Sequence, residues 1–166
     1  MGDYTIVHEE RADSQAAGQT KIVDNDDMVA ALIHFENGVK GHIGASRVTW
    51  GRKCGLHWEL HGTEGTIIYD QERLNELKLF TRQDNPATDG FRTILTGPLH
   101  EPYAAFLPNG GHSLGYMDVK ICELHDLLSA IEANSQVWPS FSDGLKIERV
   151  MDAVDRSAQT NKWVDV

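Results

Sequence analysis

Two short stretches gather residue types that can do chemistry. In "HWELH", residues 57 to 61, His57 and His61 flank Glu59 at alternate positions. Imidazole nitrogen and carboxylate oxygen are both zinc ligands, so the trio raises the question of a metal site. On a strand, residues two apart share a face, here about 7 Å between neighbours at ~3.4 Å per residue. The helical zinc signature H-E-x-x-H is not met, because the glutamate stands elsewhere and turn glycines flank the segment. The expectation is therefore a polar strand face, with no metal bound.

The second stretch, "GFRTILTGPLHEPYAAFLPNGGHSLGYMDVK" (residues 90 to 120), collects Arg92, His100, Tyr103, His112, Tyr116 and Lys120 among Gly and Pro. A loop of this composition leading into a helix is where a sheet scaffold presents ligand-contacting groups. Taken singly, each has a plain structural use: an ion pair for Arg92, loop hydrogen bonds for the histidines, packing with a wet hydroxyl for the tyrosines, solvation for Lys120. Together they mark a candidate substrate pocket. Ser46 and Asn75 sit beside turns and are expected to satisfy backbone groups, while Arg47 and Arg73 have many acids to pair with. No two glycines are separated by one residue, and neither G-x-x-x-x-G-K-[ST] nor G-x-S-x-G occurs, so phosphate-cradling and nucleophile-elbow chemistry is not expected. No residue is assigned a catalytic role.

The elements that must position these groups follow from hydrophobic period. After a short opening strand, "YTIV", the polar run at residues 8 to 21 reads as a loop, with order beginning near Asp26. "DMVAALIHFENGVKGHIGASRVTW" gives two β-rich runs joined at Asn37-Gly38, which supply the positive φ a tight hairpin needs. The first run is apolar on both alternating sets, which predicts a strand covered on both faces. "LHWEL" alternates strictly, "GTEG" turns the chain into "TIIYD", "ERLNELKLF" ends in a strand, and a loop over residues 83 to 90 leads to "FRTIL". Past Gly115 the period becomes helical: Ile121, Leu124, Leu128 and Ile131, with Leu127 beside them, define one stripe. A second helix, capped by Ser140 or Ser142, carries Ile147, Val150, Met151, Val154 and Ala158, and "KWVDV" reads as a last short strand. Strands first and helices last predict one α+β domain over residues 1 to 166, an open, predominantly antiparallel mixed β-sheet with helices packed on one face.

Lys and Arg number 15 against 25 Asp and Glu, a formal charge of −10, which argues against nucleic acid or anionic membrane as partners. Cys54 and Cys122 are far apart and outside any C-x-x-C pattern, so a disulfide framework is not expected and a reducing cytoplasm fits best. No apolar run reaches transmembrane length, and the first residues lack the apolar core of a secretory signal.

The stretches "VDNDDMVAALIHFENGVKGHIGASR", "GRKCGLHWELHGTEGTIIYDQERLNELKLF", "GHSLGYMDVKICELHDLLSAI" and "PSFSDGLKIERVMDAVDRSAQTNKWVDV" together resemble the carboxyl-terminal domain of the glucose-fructose oxidoreductase, inositol dehydrogenase and MocA (Gfo/Idh/MocA) family, from about Ile22 to the end. The resemblance implies a substrate-binding and oligomerisation domain of a dehydrogenase acting on a sugar or polyol, inositol-dehydrogenase-like, using NAD or NADP. It further implies an exposed sheet face that forms homo-oligomers. The family's catalytic E-K-P and Asp-x-x-x-His motifs do not occur here: no Glu is followed by Lys, and no Asp has His four residues on. The chain thus resembles a domain cut off after its catalytic helix, as a fragment or a short reading frame, inactive alone, binding no cofactor alone, and completed by a separate Rossmann-domain chain. A stand-alone dimeric binding or assembly module is the alternative. By resemblance, Arg92, His112 and Tyr116 would border the sugar or polyol, and Lys120 would approach the nicotinamide.

Overall fold

The computed structural model describes residues 1–82 and 86–166. The first part of the loop expected at 83 to 90 lies outside the described residues, and Pro86–Thr88 form a 3₁₀ turn. In chain order the elements are β1 (Gly2–Thr5), β2 (Glu10–Ala12), β3 (Thr20–Ile22), β4 (Met28–His34), β5 (Lys40–Ser46), β6 (His57–His61), β7 (Gly65–Asp70), β8 (Glu76–Thr81), β9 (Arg92–Leu95), α1 (Tyr116–Glu132) and α2 (Phe141–Thr160). The class is α+β. Among the described residues the strands form three separate ladders, every pair antiparallel: β1-β4-β5, β2-β3 and β6-β7-β8-β9. The chain divides into two compact units, one of Met1–Gly51 with Trp138–Val166, the other of Arg52–Val137.

In the first unit, the Phe35–Val39 connection joins β4 to β5. Gly38 N–H donates to the Phe35 carbonyl at 2.9 Å, and Gly38 alone takes positive φ, at 87°. Asn37 instead uses its side chain, accepting Val39 N–H at 3.2 Å, so the expected Asn-Gly pair divides the work. β4 buries one alternating set, Ala31 at 6% exposure with Val29 and Ile33 half-buried. The other set stays open, Met28 at 43% and Leu32 at 56%. The expectation of a strand covered on both faces is therefore met on one face only.

The polar run expected to be a loop contains the β2-β3 hairpin. Asp13 N–H donates to the Gln19 carbonyl at 2.9 Å and Gly18 turns the chain at φ 80°. Every residue of both strands is exposed, so no hydrophobic alternation announces them. Asp27 ties this hairpin to the sheet. Its buried carboxylate accepts the N–H groups of Val7 (2.8 Å) and His8 (3.0 Å), Arg47 Nε (2.8 Å) and an Arg11 guanidinium N–H. The His8 N–H, then Arg47, Val7 and the Arg11 charge, hold this carboxyl well below the usual carboxylate range against the opposing effect of burial.

α2 starts at Ser140, whose N–H donates to Asp143 Oδ2 at 3.0 Å while its hydroxyl accepts Asp143 N–H, a reciprocal cap. Its inward ridge is Val150, Ala153, Val154, Ser157 and Ala158; Ile147 and Met151, expected on that ridge, are 59% exposed. The helix sits close on β1, where a Cβ at Gly2 would stand 2.8 Å from Val154 Cγ1. After Asn161 in the left-handed conformation, residues 162 to 166 form no strand, contrary to expectation. Side chains take up the tail's groups instead: Ser157 hydroxyl donates to the Lys162 carbonyl, and Trp163 stacks on His34 with ring centroids 4.3 Å apart.

In the second unit, β6 to β9 form a meander registered His57↔Asp70, Ile67↔Leu79 and Leu77↔Ile94. Trp58 stacks on Tyr69 (5.4 Å) and Phe80 meets Phe91 edge-on (6.1 Å). A Cβ at Gly65 would run into the Phe80 carbonyl oxygen, so β7 enters the sheet through a glycine. Glu72 pins the turn before β6 by accepting Lys53 N–H (2.7 Å), Cys54 N–H (3.2 Å) and Arg52 Nη1 (2.6 Å), and these bonds lower its carboxyl to about 2. α1 has no buried residue, and its expected stripe faces outward, with Leu124 at 55%, Leu128 at 57% and Ile131 at 66%. Val119, Cys122 and Ala130 are its half-buried apolar side. Among the described residues no helix is long and apolar enough to cross a membrane.

Candidate functional site

The expected site residues all lie in the second unit, on β9, on the loop that follows it, and on the first turns of α1. Two buried leucines hold that loop down, Leu107 at 1% exposure and Leu114 at 6%. Asn75, in the turn before β8, clamps Leu114 from both sides: Nδ2 donates to the Leu114 carbonyl at 2.9 Å and Oδ1 accepts its N–H at 2.7 Å. The amide thereby replaces a strand partner for one residue and fixes where α1 begins. The structural role expected for Asn75 is this clamp. Within the loop, His100 Nδ1 accepts Gly97 N–H at 3.0 Å, and its carbonyl accepts Tyr103 N–H at 2.8 Å.

α1 opens at Gly115, whose N–H donates to Asp118 Oδ2 at 2.7 Å. Tyr116 and Lys120, one helical turn apart, come together, with Lys120 Nζ 5.8 Å from the Tyr116 ring centroid. Lys120 also pairs with Glu123 at 2.7 Å, and that hydrogen bond, then the Glu123 charge and Tyr116, raise its ammonium above the ordinary lysine range. His112 Nδ1 lies 3.3 Å from the Asn109 carbonyl; in the tautomer with the proton on Nδ1 that nitrogen donates to the carbonyl and Nε2 is an acceptor. Arg92 on β9 donates to Thr81 Oγ1 at 3.0 Å. The structure thus joins Tyr116 to Lys120, and gives Arg92 and His112 partners of their own. All four are exposed, and of them only Tyr116 and Lys120 are brought together, at the open start of α1.

On β6 both histidine rings, His57 and His61, turn to the carboxylate of Glu59. Glu59 stands between the rings, Oε1 at 3.7 Å from His57 Nε2 and Oε2 at 3.2 Å from His61 Nε2, each ring meeting a different carboxylate oxygen. His61 Nδ1 turns to Thr66 Oγ1 at 3.3 Å. Among the described residues no three His, Cys, Asp or Glu side chains are grouped to hold a metal ion. Arg47 and Arg73, left open in the sequence, pair with Asp27 (2.8 Å) and Glu76 (2.6 Å).

Comparison with known proteins gives a consistent family. The model of an oxidoreductase family carboxyl-terminal alpha/beta domain (GFO_IDH_MocA_C) matches residues 3–166. The chain is 42% identical over 145 residues to levoglucosan dehydrogenase of Pseudarthrobacter phenanthrenivorans, covering 87% of this chain and 37% of that protein. A solved levoglucosan dehydrogenase in complex with NADH and L-sorbose superposes with a TM-score of 0.91 at 38% identity, covering 99% of this chain and 43% of that one. An NAD binding oxidoreductase from Klebsiella pneumoniae does so with a TM-score of 0.91 at 37% identity, over 99% and 44%. The chain therefore spans less than half the length of these relatives.

A dinucleotide requires backbone N–H groups or a cation at its pyrophosphate. The first turns of α1 and α2 carry the carboxylates of Asp118 and Asp143 instead, each bonded to its own cap, and the Lys120 ammonium is engaged by Glu123. The described residues do not fit a pyrophosphate cradle, and a negative charge at both helix starts would repel one.

Proposed function

The chain belongs to the Gfo/Idh/MocA oxidoreductase family as its carboxyl-terminal α/β domain, and we propose that it is the substrate side of an NAD(P)-dependent dehydrogenase acting on a sugar or polyol. The observation that carries this reading is the match of one family domain across residues 3–166, with relatives more than twice as long that include a levoglucosan dehydrogenase holding NADH. A bound nicotinamide supplies hydride chemistry that no side chain of this chain supplies. The chain's own part is to bind and orient. His112 Nε2 accepts from a substrate hydroxyl, and the Tyr116 hydroxyl and Arg92 guanidinium donate to neighbouring oxygens. Lys120, its charge steadied by Glu123, would be the residue on the nicotinamide side. An anhydrosugar of the levoglucosan type is favoured over inositol by the 42% identity to a levoglucosan dehydrogenase. Two unpaired thiols, Cys54 and Cys122, suit a reducing cytoplasm.

The test is an assay of nicotinamide reduction with NAD+ or NADP+ and levoglucosan, L-sorbose or inositol. The purified chain gives none, and the same chain joined to the dinucleotide-binding part of the levoglucosan dehydrogenase does. Turnover by the lone chain overturns the reading.

A second, compatible reading concerns assembly. The outer set of β4, with Met28 at 43% and Leu32 at 56% exposure, offers an apolar sheet face for a second copy. A dimer in sedimentation that Leu32→Lys dissociates supports it, and a monomer at micromolar concentration removes it. A dimer with no activity in any joined form would favour the stand-alone module.

A further inference from the structure

On one face of the β6 to β9 meander the register sets Trp58, Tyr69, Leu77 and Ile94 in a single row, each directly across from the next. His57, Glu59 and His61 point to the other face by strand alternation. The row begins in two aromatic rings, Trp58 stacked on Tyr69 with centroids 5.4 Å apart and planes at 30°. Stacking covers only part of the indole. Trp58 is still 39% exposed, while its neighbours along the row are half-buried. The two rings thus form an aromatic floor that is not yet covered.

Two turns are held near that floor. Glu72 accepts the Cys54 N–H at 3.2 Å, and Gln71 Nε2 donates to Cys54 Sγ at 2.7 Å, so the turn before β6 is fixed. The 3₁₀ turn Tyr103–Ala105 is fixed through the Tyr103 carbonyl, which accepts the N–H groups of Phe106 and Leu107 at 3.0 Å, and Leu107 is buried. Both turns reach Tyr69: burial first, then the charges of Tyr103, Asp70 and Cys54, push its phenol up. Among the described residues neither the Tyr69 nor the Tyr103 hydroxyl has a hydrogen-bond partner, although both side chains are half-buried. Each therefore leaves one hydrogen bond for a ligand to complete. Charge narrows the ligand further. Arg52, two residues before Cys54, is engaged by Glu72 at 2.6 Å, and Asp70 adds a negative charge, so a sugar acid is disfavoured.

We propose that Trp58, Tyr69 and Tyr103 form a sugar subsite, in which a neutral sugar ring lays its C–H face on the Trp58 indole and the two phenols hydrogen-bond its hydroxyls. Apolar surface with a few placed polar groups is the ordinary make-up of a small-molecule site. The proposal rests on the sugar dehydrogenase reading above and deepens it by naming the surface that selects a cyclic, uncharged substrate. A linear polyol has no ring face to stack, and an anionic sugar finds no counter-charge.

The test has two arms. In the first, levoglucosan is titrated into the nitrogen-15-labelled chain and the indole N–H signals of its 4 tryptophans are followed, with Trp58→Phe identifying the one from Trp58. That signal is expected to shift saturably while those of Trp50, Trp138 and Trp163 stay in place, and sorbitol and gluconate at equal concentration are expected to leave it unmoved. In the second arm, in the joined enzyme, Trp58→Leu should raise the sugar KM by about tenfold. Tyr69→Phe and Tyr103→Phe should each raise it by about fivefold, one hydrogen bond's worth, with kcat and the cofactor KM unchanged. The two phenol variants keep their rings, so they test the subsite even where Trp58→Leu fails to fold. A Trp58 signal indifferent to levoglucosan, an equal response to sorbitol, or an unchanged KM in both phenol variants would each overturn the proposal. A joined enzyme inactive on every sugar tried, with the Trp58 shift intact, would count against the dehydrogenase reading and leave the subsite standing.

Discussion

The hydroxyl of Ser157 accepts the N–H of Gly2 at 2.9 Å across 155 positions of sequence, at a residue only 3% exposed. The same hydroxyl donates to the Lys162 carbonyl. One buried group thus links the edge strand, α2 and the tail, and its loss strands a donor and an acceptor at once. Ser157→Ala should lower stability by about 1–3 kcal/mol, read as a fall in the urea midpoint. An unchanged midpoint would show that water takes over both bonds.

The Asn75 clamp on Leu114 can be divided by chemistry. Asn75→Ala removes both bonds and should speed hydrogen exchange of the Leu114 amide by roughly one to two orders of magnitude, for a loss of about 1–3 kcal/mol. Asn75→Asp keeps the acceptor but sets a carboxylate oxygen against the Leu114 carbonyl, and should retain only part of that protection. Equal exchange in both variants would mean that the N–H bond does not hold the loop.

Acid should undo specific turns. Glu72 and Asp143 are lowered to about 2 from ordinary values of 4.5 and 3.8, Glu72 first by the Lys53 N–H and Asp143 first by the Ser140 N–H; Asp27 is lowered further. A depressed folded-state carboxyl stabilises fully above its unfolded value and loses that contribution as pH falls through the folded one. The thermal midpoint should therefore fall between about pH 4.5 and pH 2, and Glu72→Gln should flatten part of that limb. An acid limb identical in the variant would exclude Glu72 as a contributor.

At the open helix start, binding rather than chemistry should respond. In the joined, active enzyme, His112→Ala and Tyr116→Phe are each expected to raise KM for the sugar by about tenfold, one hydrogen bond's worth, with little change in kcat. Lys120→Met should raise KM for the cofactor and leave the sugar KM alone. A fall in kcat at constant KM would assign these side chains a different role.

What could be read in the sequence was what a local period or a turn residue announces. Gly38 declares the β4-β5 hairpin, strict alternation declares β6, and Ser140 declares the start of α2. Bonds between distant residues leave no such mark: Asp27 gathers Val7, His8, Arg11 and Arg47, and nothing in "DNDDM" distinguishes it from Asp26. The α1 stripe was legible as a period, but a period states that a face is apolar and not what covers it. Ser157 and Ala153 were missed for the same reason in reverse, since small residues at a close helix-strand approach carry little hydrophobic signal. The tail "KWVDV" has the composition of a strand, yet Trp163 finds His34 before any ladder.

β6 lies at the margin of its four-stranded sheet, with β7 on one side and, among the described residues, no strand on the other. Such a border invites recruitment of a foreign strand, and polar, ionisable side chains along it discourage that. The row of His57, Glu59 and His61 would on this view be a fence: with Val, Thr and Val in their place, the protein should tend to stack into fibrils.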